Sequence, residues 1–177
     1  MSNRGTLRWL AILALVVVIA ATGRGLFDDG GGTKLEGNVT GRVVRVVDGD
    51  TVRVRIDGGG TQTVRYIGID TPESVKPGTP VQCFAEAASA FNRRLVAGRL
   101  VRLRLGRERR DRYGRLLAYV YLAGGGQEFV NAELVRRGFA RTLTIAPNTD
   151  YASRFAALQR QARAARLGLW RACPAGP

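Results

Sequence analysis

Histidine is absent from all 177 residues. That absence excludes a Ser-His-Asp triad, a histidine general base and any histidine-ligated metal. Cysteine is nearly absent too. Cys83 and Cys173 are the only two, too few for a four-cysteine zinc site. Lysine is limited to Lys34 and Lys76, so almost all the positive charge is arginine. Acids are scarce, with 14 Asp and Glu against 28 Lys and Arg, for a formal charge of +14. Any chemistry must therefore run on carboxylates, Arg, Lys, Tyr, Ser or Thr. A basic surplus of this size favours polyanions, nucleic acid first and anionic membrane second, although arginine also serves solubility. With 45% apolar and 24% charged residues the chain is globular in composition, and its length suits one domain. There are no internal repeats.

Long apolar runs are confined to the N-terminus. Arg4 and Arg8 precede 13 uninterrupted apolar residues, Trp9 to Ala21. That is short for a bilayer span of about 20 residues and right for the apolar region of a signal peptide. Ala21 and Gly23 supply the small residues for cleavage after Gly23, so residues 1–23 are expected to be a signal peptide. The competing reading is an uncleaved anchor reaching towards Phe27, held in the membrane through residues 9–22, with Arg24 inside the span. No cysteine precedes Cys83, so a lipoprotein cysteine is absent. Either way the folded part is expected outside the cytoplasm, secreted or tethered. Residues 24–38, with Asp28-Asp29-Gly30-Gly31-Gly32, read as a flexible linker, and residues 39–173 as the domain.

Export bears on the cysteines. An oxidising compartment favours joining Cys83 to Cys173, against the alternative of two buried thiols. The bridge would close a loop of about 90 residues, for which chain entropy gives about 4–5 kcal/mol.

The domain is expected to be α+β. Gly41 to Val47 alternates, Asp48-Gly49 signals a hairpin, and Thr51 to Ile56 alternates again. Gly58-Gly59-Gly60 is a second turn and Thr63 to Ile67 a third strand. Residues 74–81, with Pro77, Gly78 and Pro80, form a loop. Glu86 to Val96 has helical spacing with Ala87, Ala88, Phe91 and Leu95 on one face. Arg99 to Leu105 and Leu117 to Leu122 are two more strands. Val130 to Arg137 is a short helix ended by Gly138. The last helix, Tyr151 to Arg166, shows the stripe Tyr151, Phe155, Leu158, Ala162, Ala165, with Thr149 or Asp150 as cap. Its arginines 154, 160, 163 and 166 read as a solvated face. Five strands with about three helices make an OB-fold β-barrel the economical architecture.

Three segments carry chemistry: Val47-Asp48-Gly49-Asp50-Thr51-Val52, Arg65-Tyr66-Ile67-Gly68-Ile69-Asp70-Thr71-Pro72-Glu73 and Asp111-Arg112-Tyr113-Gly114-Arg115. Taken singly each could be a turn or a strand exit. Together they supply a metal-assisted phosphodiesterase. Asp50, Asp70 and the Thr71 carbonyl suit a hard cation such as Ca²⁺. Glu73 can orient or deprotonate a water. Arg65 and Arg115 can fork onto phosphate oxygens, which lysine matches less well.

These segments resemble the staphylococcal nuclease (thermonuclease) family, from about Val39 to Trp170, in the motifs VVDGDTVRV, VRYIGIDTPE and DRYGRLLAYVY. The resemblance implies an OB-fold barrel and Ca²⁺-dependent hydrolysis of DNA and RNA leaving 3′-phosphate ends, by a monomer of low sequence specificity. Position by position it makes Asp50, Asp70 and the Thr71 carbonyl Ca²⁺ ligands, with Asp48 in the outer shell. It makes Glu73 the general base and Arg65 and Arg115 the catalytic arginines. Tyr113 becomes a substrate-binding residue near the nucleotide's terminal phosphate, and Arg112, standing where the founding member has lysine, becomes a second substrate-binding residue. Two departures stand out. The family's base-flanking tyrosines have no aromatic counterpart in Thr142-Leu143-Thr144-Ile145-Ala146-Pro147, with Thr144 and Ala146 expected in their place. The cysteine pair is the other departure. Some relatives keep the barrel without the catalytic groups, so the alternative is a non-catalytic nucleic-acid-binding module.

Overall fold

Alternation builds the barrel. In β2 (Thr51–Ile56) Val52, Val54 and Ile56 are buried while Arg53 and Arg55 face solvent. β1 (Asn38–Val46) pairs antiparallel with it, and β3 (Gly60–Tyr66) pairs antiparallel on its other side. β5 (Leu100–Arg110) and β6 (Leu116–Leu122) form a second antiparallel pair. β5 joins β1 antiparallel and β6 joins β3 in parallel, which closes the barrel in the order β1-β2-β3-β6-β5. Its core includes Val52, Val54, Val64, Val101, Leu103 and Val120, all fully buried, and each such side chain contributes about 1.5–3 kcal/mol. The structure is a computed structural model that describes residues 37–74, 78, 80–124, 126 and 128–173. The expected signal or anchor, residues 1–23, lies outside the described residues. So does the linker apart from Gly37 and Asn38, and Asn38 opens β1. Among the described residues no helix is long and apolar enough to cross a membrane.

β4 (Ile69–Asp70) pairs with β7 (Arg141–Thr142) as a small separate sheet. Neither was expected, because two-residue strands leave no periodicity to read. β5 runs to Arg110 rather than stopping at Leu105. Its last five residues, 106–110, are polar or glycine. They stay extended because Arg110 rejoins β6 opposite Leu116 after a register shift.

Among the described residues four helices pack on the barrel, one more than expected: α1 (Ala85–Val96), α2 (Val130–Arg136), α3 (Ala152–Ala164) and the single turn α4 (Leu169–Ala172). The buried face of α1 is Ala85, Ala88, Ser89, Asn92 and Val96, rotated from the expected one; Phe91 and Leu95 pack at its side. The side chain of Asn131 on α2 receives the Val120 N–H at 2.9 Å and donates to the Ile67 carbonyl at 2.9 Å. It thereby ties α2 to β6 and to the turn after β3. α3 has no side-chain cap. Asp150, expected to cap it, binds Arg104 Nη2 at 2.5 Å instead, a charge-assisted bond stronger than a cap. α3 ends at Ala164, so Ala165 is exposed rather than part of the stripe.

Gly68 sits at φ +81°, and a Cβ there would run into the Phe155 ring of α3. Only glycine lets the chain turn from β3 into β4 this close to a helix. Cys83 and Cys173 are joined, with Cα atoms 5.9 Å apart. The bridge pins the start of α1 to the end of α4.

Candidate active site

The turn after β1 is the first wall of the site. The Val47 N–H bonds the Thr51 carbonyl at 2.9 Å, and Asp48 Oδ1 accepts the Asp50 N–H at 3.0 Å. Gly49 is required here by contact: a Cβ would lie 2.6 Å from Thr71 Oγ1. The missing side chain lets the loop after β4 seat on the turn. Thr71 then bonds Asp50 Oδ2 twice, through its N–H at 2.7 Å and its hydroxyl at 2.9 Å. The Thr51 hydroxyl donates to Asp50 Oδ1 at 3.2 Å.

Arg65, on β3 opposite Thr51, bridges two carboxylates. Its Nη2 donates to Asp70 Oδ1 at 2.7 Å. Its buried Nη1 forms an ion pair with Asp50 Oδ1. Asp50 is 4% exposed, whereas the Asp70 side chain is 55% exposed. The site therefore has a buried carboxylate and an open one joined by one guanidinium.

Three carboxylates in so little space strain one another electrostatically. Burial, and then the charge of Asp50, push the Asp48 carboxyl up to about 6. Burial also raises Asp70; Arg65 opposes the rise and Asp50 adds to it. Burial works most strongly against the Arg65 charge, but Asp50, Asp70 and Asp48 together outweigh it and hold the guanidinium above its ordinary value.

Glu73 follows Pro72 and closes the same cleft. Its carboxylate accepts the Ser74 N–H at 3.1 Å. The opposite wall is the β5–β6 hairpin. Asp111 organises it, accepting the Tyr113 N–H at 2.9 Å, the Arg115 N–H at 3.0 Å and Arg115 Nε at 2.6 Å. Tyr113 is 68% exposed, with the guanidinium carbons of Arg112 and Arg115 at 4.8 Å and 5.4 Å from its ring centroid.

The structure thus brings Asp48, Asp50, Arg65, Asp70, Thr71, Glu73, Tyr113 and Arg115 into one cleft of about 480 Å³. Arg112 lines an adjoining cleft of about 460 Å³ that shares Arg65, Tyr113 and Arg115. Cys83 and Cys173 lie outside both. Among the described residues no three carboxylates or thiolates stand close enough to hold a metal ion by themselves.

The second cleft corrects one expectation. Leu143 and Ile145 line it, not Thr144 and Ala146. Leu143 and Ile145 alternate with Thr144 and turn to the cleft, and Ala146 lies in the turn that follows. Phe139 and Tyr151 do not fill the place of an aromatic either. Phe139 stacks on Phe91 at 4.1 Å, and Tyr151 packs edge-on to Tyr119 at 4.7 Å.

Several supporting residues escaped the sequence reading. Asn92 donates to the Asp48 carbonyl at 3.0 Å and accepts from Tyr66 Oη at 3.1 Å. A polar residue on the buried stripe of α1 was the signal for it. Asn148 brackets the hairpin, bonding the Glu108 N–H at 3.1 Å and the Glu108 carbonyl at 2.8 Å. Gln82 grips Glu73. Nothing in the sequence marks these last two.

Comparison with known proteins places this geometry among relatives. The family described as "Staphylococcal nuclease homologue" matches residues 63–172. The thermonuclease of Staphylococcus hyicus is 44% identical over 131 residues, 74% of this chain and 75% of the relative. The thermonuclease of Staphylococcus intermedius is 41% identical over 162 residues, 90% of this chain and 94% of the relative. Endonuclease YncB of Bacillus subtilis (strain 168) is 41% identical over 128 residues, 71% of this chain and 59% of the relative.

Proposed function

Because the chain belongs to the staphylococcal nuclease family and is a nuclease, we propose that it is an exported, monomeric, Ca²⁺-dependent phosphodiesterase. It hydrolyses DNA and RNA with low sequence specificity and leaves 3′-phosphate ends. The observation that carries this reading is the single cleft in which Asp50, Asp70, Thr71, Glu73, Arg65 and Arg115 meet.

The cleft fits a hard cation. Asp50, Asp70 and the Thr71 carbonyl offer oxygen only, and no nitrogen base or thiolate lines the cleft. The Thr71 N–H and hydroxyl are committed to Asp50, which leaves the carbonyl as the oxygen it has to give. Two carboxylates and a carbonyl leave room for water, as an ion taking about 6–8 oxygens accepts. Asp48 steadies the turn from behind. Bound there, Ca²⁺ supplies Lewis-acid polarisation of the phosphoryl oxygens.

The chain's own groups do the rest. Arg65 and Arg115 grip the non-bridging oxygens and stabilise the charge that grows on them in the transition state. Arg115 is aimed by Asp111, which holds its Nε and leaves the two terminal nitrogens for phosphate. Glu73 takes the proton of the attacking water as its oxygen bonds to phosphorus. The bond to the 5′-oxygen breaks, and that oxygen leaves as a hydroxyl after gaining a proton. The phosphate stays on the 3′ side. Arg112 and Tyr113, exposed at the cleft rim, bind the substrate's terminal phosphate. Low specificity follows from contacts that address phosphates rather than base edges.

Residues 1–23 carry the export signal or anchor, and the Cys83–Cys173 bridge suits that destination. Analysis of product ends tests the reaction. A 5′-labelled oligonucleotide, as DNA and as RNA, should give fragments whose mobility shifts on 3′-phosphate removal. Fragments ending in 3′-hydroxyl would overturn the assigned cleavage direction.

A further inference from the structure

The outer face of β1 and β2 carries arginines in directly opposed pairs. Arg42 stands opposite Arg55, and Arg45 stands opposite Arg53. All four are exposed. β3 extends each row, with Thr61 beside Arg55 and Thr63 beside Arg53, and the next row along the strands is Thr51 with Arg65. Two rows of paired arginine thus lead to the guanidinium that bridges Asp50 and Asp70.

Two features argue against an accidental solvated face. Like charges directly opposed across a ladder destabilise it, and among the described residues no carboxylate pairs with any of the four. The one bond among them is Arg42 Nη1 to the Gly98 carbonyl at 2.8 Å. Arg45 also reaches the face by a specific device. Strict alternation from Arg42 would turn residue 45 inward. A bulge between Val43 and Arg45 shifts the register and sets Arg45 against Arg53 instead.

Building on the proposed nuclease reading, we infer that this face is a track for the substrate strand, holding phosphates beyond the one gripped at Arg65. Alternate residues on a strand are about 7 Å apart. Successive phosphates along one nucleic-acid strand are separated by a comparable distance, so each row can meet one phosphate of a strand laid across the face. Guanidinium forks suit phosphate oxygens, and the Thr61 and Thr63 hydroxyls lie beside them. Continuity with the cleft at Arg65 selects a nucleic-acid strand over a lipid surface.

The test is equilibrium binding of phosphorothioate oligothymidylates, two and eight nucleotides long, followed by anisotropy in EDTA across a salt series. The full chain is compared with R42S/R45S/R53S/R55S and with R160S/R163S/R166S/R171S, which removes as many charges from α3, α4 and the turn between them. The track variant should lose at least tenfold in octamer affinity at low salt. Its slope of log K on log salt should shrink by about 1.5–3, at about 0.7 for each phosphate the face no longer neutralises. The dimer reaches only the cleft and should lose less than threefold. The α3–α4 variant should keep the parent slope. Equal losses in the two variants, or a parental slope in the track variant, overturn the track. If the track variant instead loses binding to phosphatidylglycerol vesicles while octamer binding is kept, the face is a membrane surface and the inference fails. If the parent binds neither oligonucleotide, the substrate reading of the cleft falls as well. Thermal unfolding checks that the variants fold, and R45S/R53S alone carries the same test at half the expected effect.

Discussion

Gln82 and Glu73 exchange two hydrogen bonds across the loop between them: the Glu73 N–H donates to Gln82 Oε1 at 2.9 Å, and the Gln82 N–H donates to the Glu73 carbonyl at 3.0 Å. These two bonds fix the Glu73 backbone at the cleft. Gln82 is itself anchored, since its neighbour Cys83 is bridged to Cys173. Glu73→Gln should lower kcat by on the order of 10²–10⁴ with little change in substrate affinity. Gln82→Ala should lower kcat by about tenfold, the loss of the one positioning bond its side chain makes. Steady-state kinetics across pH checks both. A Glu73→Gln enzyme within threefold of wild type would show that another group handles the water.

Arg115 depends on Asp111 for its aim. Arg115→Lys keeps the charge but gives up the fork and the Nε bond, so kcat/KM should fall by on the order of 10²–10³, the scale of one transition-state donor. Asp111→Ala should fall by a smaller factor, because the guanidinium remains but swings free. Equal rates for Arg115→Lys and wild type would remove the bidentate grip from the mechanism.

The disulfide closes most of the domain's length, its two ends 90 positions apart in sequence. Cys83→Ser with Cys173→Ser should cost about 2–5 kcal/mol by urea unfolding. Because Cys83 adjoins Gln82, the variant should also lose kcat before it loses structure. Intact mass of unreduced protein from an oxidising compartment should lie about two units below the dithiol value.

The Leu143 and Ile145 wall of the second cleft carries no ring, although Tyr66 and Tyr113 line the same cleft. Base–aromatic stacking is worth about 1–3 kcal/mol, and Leu143 and Ile145 line the cleft without offering a ring. Installing Tyr at both positions should tighten a nucleoside 3′,5′-bisphosphate by about tenfold or more and leave kcat on long DNA nearly unchanged. Tyr at Thr144 and Ala146 should gain nothing. Calorimetric titration of both pairs decides which face meets the base, and the reverse outcome would move the base to the other face.

β1, β2, β3 and β6 were legible because their valines and leucines alternate with outward residues. The catalytic segments were legible because each is contiguous and rich in residue types that phosphoryl chemistry needs. What stayed hidden has no local signal. β4 and β7 exist only as partners of each other. The tail of β5 is polar and is strand only through its pairing with β6. Asn148 and Gln82 act across 40 and 9 residues of sequence, which local pattern cannot see. The shift from Thr144 and Ala146 to Leu143 and Ile145 has the same root. In a short extended stretch with mixed side chains both faces read alike, and a slip of one residue exchanges them.

The central claim is that a histidine-free cleft of oxygen ligands and arginines cuts phosphodiesters with the help of Ca²⁺. Cleavage of a fluorescent single-stranded oligonucleotide, timed in millimolar Ca²⁺ and again in excess EGTA with no other divalent ion, tests it most directly. The account predicts rapid cleavage in Ca²⁺, loss of activity in EGTA and recovery when Ca²⁺ is restored. Undiminished cleavage in EGTA would contradict it.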